Sequence, residues 1–345
     1  MLPPIIATFV IAAMMYRYVE QPFRQRDHDA PPLLPTTFAR WSGVAAILLT
    51  AVGTSATFQG WVWRLGDRSE FYRAAVYGGD ECQHQCDTTP GRPVSIYLIG
   101  DSHARQYFAG FKASFPSLNT RIYHFSSCPF FSLEYTRDFR NYDNRKLFED
   151  GCRASRRSAF EEIKNTRALV IISQFWVNFP LVSEWTSQRL TPTDADATTT
   201  LVGDQIAELK RELGIGRLAL FGSVPGMVEG IGSPADCAAR PISTPRNCVT
   251  SRRAQGRQAE RATMNDLLAA KVSTSAAFLN PFDALCDRTD CKMIADGKPI
   301  YDDETHLTKW GSELVVKSVR DRLDDALEKG VDSPDRATSQ SSGLN

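Results

Sequence analysis

Three side chains in this chain have the types and the order that nucleophilic acyl chemistry needs: Ser102, Asp303 and His306. A hydroxyl is a weak nucleophile until a base takes its proton, and an imidazole serves as that base best when an acid holds its tautomer. Ser102 stands in Gly100-Asp101-Ser102-His103, directly after the apolar run Tyr97-Leu98-Ile99. His306 follows Asp303 by three positions, a spacing that in a turn lets the carboxylate reach Nδ1–H and leaves Nε2 free as the base. Asp302 is the fallback acid. Each stretch alone reads equally well as a helix start, since glycine bends freely and Asp, Ser or Thr caps the next helix. Their presence together, at the two ends of one α/β pattern, favours chemistry. The remaining histidines offer less: His28 lies in a loop between apolar segments, His84 between two cysteines and His124 inside a strand pattern. His103 adjoins the serine, where neighbouring side chains at a helix start are expected to diverge.

The elements that must position these groups are legible as a repeated alternation. Short, nearly continuous apolar runs at 94–99, 121–125, 168–173, 218–222 and 277–280 read as parallel strands covered on both faces. Helical patterns fall between them near 103–114, 153–165, 199–213 and 256–271, and a last one covers 310–329. Five such units predict an α/β fold, a three-layer α/β/α sandwich with a mostly parallel five-stranded sheet. In such sheets sites form beyond the carboxyl ends of the strands, where Ser102 would sit.

Composition sets the compartment and excludes one class of partner. Forty basic residues balance forty acidic ones, which leaves no net field to draw nucleic acid. All eight cysteines, at 82, 86, 128, 152, 237, 248, 286 and 291, lie after residue 80. Adjacent pairing would give Cys82–Cys86, Cys128–Cys152, Cys237–Cys248 and Cys286–Cys291, one of 105 possible connectivities. Only Cys82-x-His84-x-Cys86 comes near a metal-ligand spacing and it lacks a second half, so no metal site is expected. Disulfides imply an oxidising compartment. Residues 41–63, from Trp41 to Trp63, run for 23 positions without a charge and are expected to form a transmembrane helix, with tryptophans near both ends. Residues 64–93 mix charge, glycine and a small cysteine loop and read as a linker, and the Ser-, Asp- and Gly-bearing tail 330–345 reads as disordered.

Two resemblances refine this reading. Tyr16-Arg17-Tyr18-Val19-Glu20-Gln21-Pro22-Phe23-Arg24 resembles the end of the last core helix of the membrane-bound acyltransferase-3 family, so residues 1–26 look like the C-terminal remnant of such a domain. Gly100-Asp101-Ser102-His103 with Ala104-Arg105-Gln106, and Cys286…Cys291…Pro299-Ile300-Tyr301-Asp302-Asp303…His306-Leu307, resemble the first and last blocks of the SGNH hydrolase superfamily, in particular the SGNH domains fused to acyltransferase-3 proteins. That resemblance places an SGNH acyltransferase or esterase domain at 94–329, of SGNH/flavodoxin-like fold. It implies Ser102 as nucleophile, His306 as base and Asp303 as orienting acid. The middle blocks depart from the family pattern: no GxND is present. Ser102, Ser127, Gln174, Trp176 and Asn178 are therefore the candidate oxyanion donors, and Phe175, Trp176 and Trp185 are candidate sugar platforms. The implied activity is O-acetylation of a cell-surface polysaccharide (lipopolysaccharide O-antigen, capsule or exopolysaccharide). A periplasmic carbohydrate esterase and a noncatalytic carbohydrate-binding module are the alternatives. No cofactor is expected on this chain; acetyl-CoA would act as indirect acyl donor through a membrane acyltransferase domain, which could be encoded separately. The expected setting is the bacterial inner membrane, with membrane lipid around the span and the catalytic domain in the periplasm.

Overall fold

The computed structural model describes residues 13, 16–17, 43–44, 47–51, 53–54, 75–83, 85–176, 181–186, 188–190, 194–227, 233–234, 250–253 and 255–328. The chain divides into two compact units, Met1–Phe58 and Gln59–Asn345. In the first, residues 43–44, 47–51 and 53–54 are helical and exposed. The expected transmembrane helix at 41–63 is not supported: among the described residues no helix is long and apolar enough to cross a membrane. Almost all of 1–26, the tail 330–345, and His28, His84, Asn178, Cys237 and Cys248 lie outside the described residues.

The second unit is built on a six-stranded sheet. Its strands are β1 (Gln85–Asp87), β2 (Val94–Gly100), β3 (Asn119–His124), β4 (Leu169–Ser173), β5 (Arg217–Phe221) and β6 (Ala277–Leu279). Their spatial order is β1-β3-β2-β4-β5-β6, and all pairs are parallel except β1–β3. The sixth strand corrects the expected five. It comes from the segment read as linker, and a three-residue Gln-Cys-Asp edge strand carries no apolar run by which to recognise it.

Alternation along the central strands feeds two cores. Tyr97, Ile99, Val170, Ile172, Leu218 and Leu220 face one layer, where α3 (Arg145–Ile163), α4 (Ala195–Glu212) and α5 (Gly256–Val272) supply Ala159, Ile206 and Leu268. Ile96, Leu98, Ile122, Leu169, Ile171 and Phe221 face the other, with Phe108 and Phe111 of α2 (Phe108–Ser114), Val315 and Val316 of α7 (Lys309–Ser318), and Leu323 of α8 (Arg320–Glu328). A strand buried on both faces has no room for a polar alternate, which is why these runs are continuously apolar. Each fully buried Leu or Ile contributes roughly 1.5–3 kcal/mol. The described residues of the unit also include two short helices, α1 (Ser102–Arg105), which leads into α2 through the Gln106-Tyr107 turn, and α6 (Phe282–Leu285), and three small sheets of two or three short strands.

Among the described residues three disulfides, Cys82–Cys86, Cys128–Cys152 and Cys286–Cys291, close loops on this unit. Among the described residues no cysteine is free.

Candidate active site

The site begins where β2 ends. Gly100 takes a positive φ of 157°, and a Cβ there would overlap the Ser173 carbonyl oxygen on the neighbouring strand. Only glycine lets the two strand ends approach and the chain turn into α1. Asp101 is the N-cap of α1, its Oδ1 accepting the His103 N–H at 2.8 Å. Ser102 is thereby the first helical residue, at the carboxyl rim of the sheet.

The second half arrives on the loop before α7. Asp303 Oδ1 accepts the N–H groups of Thr305 (2.6 Å) and His306 (2.7 Å), a tight turn that sets the imidazole beside the same carboxylate. His306 Nδ1 lies 2.7 Å from Asp303 Oδ2. A carboxylate can only accept, so Nδ1 carries the proton and Nε2 is left as acceptor. The Ser102 hydroxyl donates to that Nε2 at 2.8 Å, across 204 positions of sequence. Asp302 points its backbone N–H at the His306 carbonyl oxygen, 2.9 Å away. Burial pushes the Asp303 carboxyl up, but the hydrogen bond and charge of His306 and the two backbone N–H groups outweigh it and hold the group well below the usual carboxylate range. It is the anion that an orienting acid has to be.

The other carboxylate near the serine behaves oppositely. Asp101 is buried, and desolvation pushes it up to about 6 despite the N–H groups of His103 and Phe175. Its Oδ2 accepts from Gln174 Nε2 (2.8 Å) and the Phe175 N–H (3.1 Å), so it staples the end of β4 to the start of α1.

The oxyanion candidates separate on their existing bonds. Both N–H groups of the Gln174 amide are engaged, one on Asp101 and one on the Cys128 carbonyl oxygen at 3.0 Å. The Trp176 indole N–H donates to the Phe221 carbonyl oxygen at 2.7 Å. The side-chain N–H groups of these two residues are therefore already engaged, as buried donors need to be. Ser127, after β3, adopts φ 62°, the left-handed region that glycine favours. Among the described residues neither the Ser102 nor the Ser127 backbone N–H has an acceptor. The platform candidates also divide: Trp176 is 4% exposed, packed in the core with one edge on the groove that Phe175 lines, whereas Trp185, 76% exposed, stands on the surface. Phe175 stacks on the His103 ring at 4.8 Å and, with Arg257, Arg261 and Thr263, walls a groove of about 760 Å³.

Three neighbours of the triad were not foreseen in these roles. The His103 ring does not diverge from the site but lies 4.7 Å from the His306 ring, because the turn from β2 into α1 faces the His306 loop. Burial, then the neighbouring His306 and Arg261, holds its pKa well below the ordinary histidine value. Gln106 Oε1 accepts the Leu307 N–H at 2.9 Å and ties α1 to the loop. Tyr77 donates to the Ser102 carbonyl oxygen at 2.6 Å. Gln106 was visible in sequence only as part of the Gly100–Gln106 block, and Tyr77 carried no signal. Among the described residues no cluster of three His, Cys, Asp or Glu side chains is placed to hold a metal ion.

Comparison with known proteins bears on this arrangement. The model of the SGNH domain fused to AT3 domains matches residues 68–321. No curated protein sequence matches the chain. Among solved structures, the periplasmic domain of a lipopolysaccharide acetyltransferase from Salmonella ser. Paratyphi A is similar at 16% identity, over 67% of this chain and 84% of that one, with a TM-score of 0.49. A putative platelet activating factor from Streptococcus pneumonia is similar at 13% identity, over 81% of this chain and 99% of that one, with a TM-score of 0.37.

Proposed function

The chain belongs to the family of SGNH domains fused to AT3 domains, and from that premise we propose that it is an O-acetyltransferase working through an acyl-serine. The single observation that carries this reading is the unbroken line from Asp303 through His306 to the Ser102 hydroxyl at the carboxyl rim of the sheet. As Ser102 Oγ bonds to the acyl carbon, its proton passes to His306 Nε2. The backbone N–H groups of Ser102 and Ser127 are available to the oxyanion that forms. The tetrahedral intermediate collapses, the leaving group departs with the proton from His306, and acetyl remains on Ser102. An acceptor hydroxyl then attacks that carbonyl while Nε2 takes its proton; the ester passes to the acceptor and the proton returns to Ser102 Oγ.

The acceptor in this reading is a hydroxyl of a cell-surface polysaccharide (lipopolysaccharide O-antigen, capsule or exopolysaccharide), held in the groove beside Phe175. The donor is acetyl delivered from acetyl-CoA through a membrane acyltransferase domain at the inner membrane. The disulfides among the described residues support a periplasmic setting. Water in place of the sugar would make the same site an esterase, and the exposure of the Asp303 side chain (53%) is the observation that keeps hydrolysis in view.

A fluorophosphonate probe tests the nucleophile: wild-type chain labels and Ser102→Ala does not. Acetyl transfer from an activated acetyl ester to a bacterial polysaccharide, measured against acetate release, then tests the reaction. Transfer exceeding release supports the transferase, release alone assigns the esterase, and an unreactive Ser102 leaves a carbohydrate-binding module.

A further inference from the structure

Residues 75–83 were expected to be linker, yet they lie across both halves of the triad. Gly78 N–H donates to the Leu307 carbonyl oxygen at 2.9 Å, and the Lys309 N–H donates to the Val76 carbonyl oxygen at 2.7 Å, so the segment is laced to the His306 loop. On the other side the Ala109 N–H donates to the Gly78 carbonyl oxygen (3.1 Å) and Arg105 Nε donates to that of Gly79 (2.9 Å), so it is laced equally to α1 and α2. Glu81 closes the strap, accepting from Lys112 at 2.7 Å and Lys309 at 2.9 Å.

Tyr77 sits at the centre of these bonds. Its hydroxyl reaches the Ser102 carbonyl oxygen at 2.6 Å, and its ring stands edge-on to the His306 imidazole, centroids 5.5 Å apart at 87°. The Arg105 guanidinium covers the same ring at 5.1 Å. Burial outweighs the charge of Arg105 and pushes the phenol above its ordinary pKa, so it remains a donor.

We infer that Tyr77 is a positioning residue for the proposed acyl transfer, fixing the Ser102 peptide with its hydroxyl and the plane of the His306 imidazole with its ring. Ser102 and His306 come from separate segments, and a hydrogen bond between them survives only if those segments are locked to each other. Asp303 Oδ2 and the Thr305 hydroxyl meet the imidazole at Nδ1 (2.7 and 3.1 Å) and the Ser102 hydroxyl meets it at Nε2, contacts at the two ring nitrogens that leave the ring free to tilt about the line between them. The His103 ring, 4.7 Å away and tilted by 32°, and the perpendicular Tyr77 ring remove that freedom from two directions. Misplacement of a catalytic group by about 1 Å costs on the order of 100-fold in rate, so a small rotation is enough to matter.

This inference rests on the acyl-serine reading, and the experiment separates the two. The full chain is prepared as wild type, Tyr77→Phe, Tyr77→Leu and Ser102→Ala. Hydrolysis of p-nitrophenyl acetate gives kcat and KM, fluorophosphonate labelling gives the reactivity of Ser102, and thermal melting reports folding. Tyr77→Phe keeps the ring and loses one hydrogen bond, so kcat falls about fivefold at unchanged KM, with the melting temperature lowered by no more than a few degrees. Tyr77→Leu loses both contacts, and kcat falls about 100-fold, with labelling slowed in parallel. Wild-type kcat in Tyr77→Phe, or a loss carried by KM, overturns the inference. Should Tyr77→Leu fail to fold, Tyr77→Phe decides alone. Labelling that persists in Ser102→Ala refutes the nucleophile itself, whatever Tyr77 does; an inert Ser102→Ala beside a fully active Tyr77→Phe refutes only the role of Tyr77.

Discussion

Two carboxylates flank the Ser102–His306 pair, and the protein treats them in opposite ways. Asp101 is 3% exposed, receives three N–H groups from its own scaffold and is pushed up to about 6 by loss of water. Asp303 has a half-exposed side chain, faces the imidazole and is held below the usual carboxylate range. On the proposed acyl-serine reading, the difference teaches that proximity to the serine does not by itself make a carboxylate an orienting acid. What defines it is an environment in which the anion is the stable form while a ring N–H is within reach. Asp101 instead serves the backbone: it caps α1 and joins it to β4.

The sharpest break in this comparison is Asp303→Asn. The amide can offer Nδ2–H to the ring and favour the wrong tautomer, so turnover is expected to fall about 1000-fold with little change in KM, as measured by ester hydrolysis. Asp101 enters through folding. Its native pKa of about 6 lies above the ordinary 3.8, so the native state holds the proton more tightly than the unfolded chain. The stability this group contributes is complete below pH 3.8 and is lost as pH rises to about 6, a decline of about 3 kcal/mol across two pH units. Asp303 has the opposite sign, since its depressed pKa adds stability above the unfolded value of 3.8 that is lost as pH falls below it. Urea unfolding between pH 3 and 7 reads both, and Asp101→Asn is expected to flatten the decline between about pH 4 and 6 without altering the acid limb. The smallest effect belongs to a residue far out on the surface: Trp185→Ala is expected to change stability by less than about 0.5 kcal/mol. A larger loss would place that ring in packing its exposure does not show.

Much of this architecture was open to reading because it repeats local rules. The runs around 94–99, 168–173 and 218–222 became β2, β4 and β5 almost residue for residue, since strands covered on both faces leave a continuous apolar signature. The pattern starting at 153 begins at Arg145 in the structure, because the first turns of α3 carry Arg, Lys, Glu and Asp on a partly exposed surface and lack an apolar period. The pattern covering 310–329 is two helices, α7 and α8, parted at Val319, whose side chain is buried in the core. Edge strand β1 was illegible, being three residues of no strand character that take their shape from pairing with β3.

What the residues by themselves determined was the order of the central strands and the main helices between them, and the residue types that the proposed chemistry would use. A serine after a glycine turn, and an acid three positions before a histidine, are local patterns that short-range geometry can carry. What only the tertiary structure decided was which donors remain free and what locks the two halves together. Gln174 and Trp176 look like oxyanion donors until the fold brings the Cys128 and Phe221 carbonyl oxygens within hydrogen-bond reach. Tyr77 looks like linker until it meets Ser102 and His306. The physical reason is the same in each case: a hydrogen bond or ring contact depends on distance in space, and chain separations such as the 204 positions between Ser102 and His306 carry no trace of it.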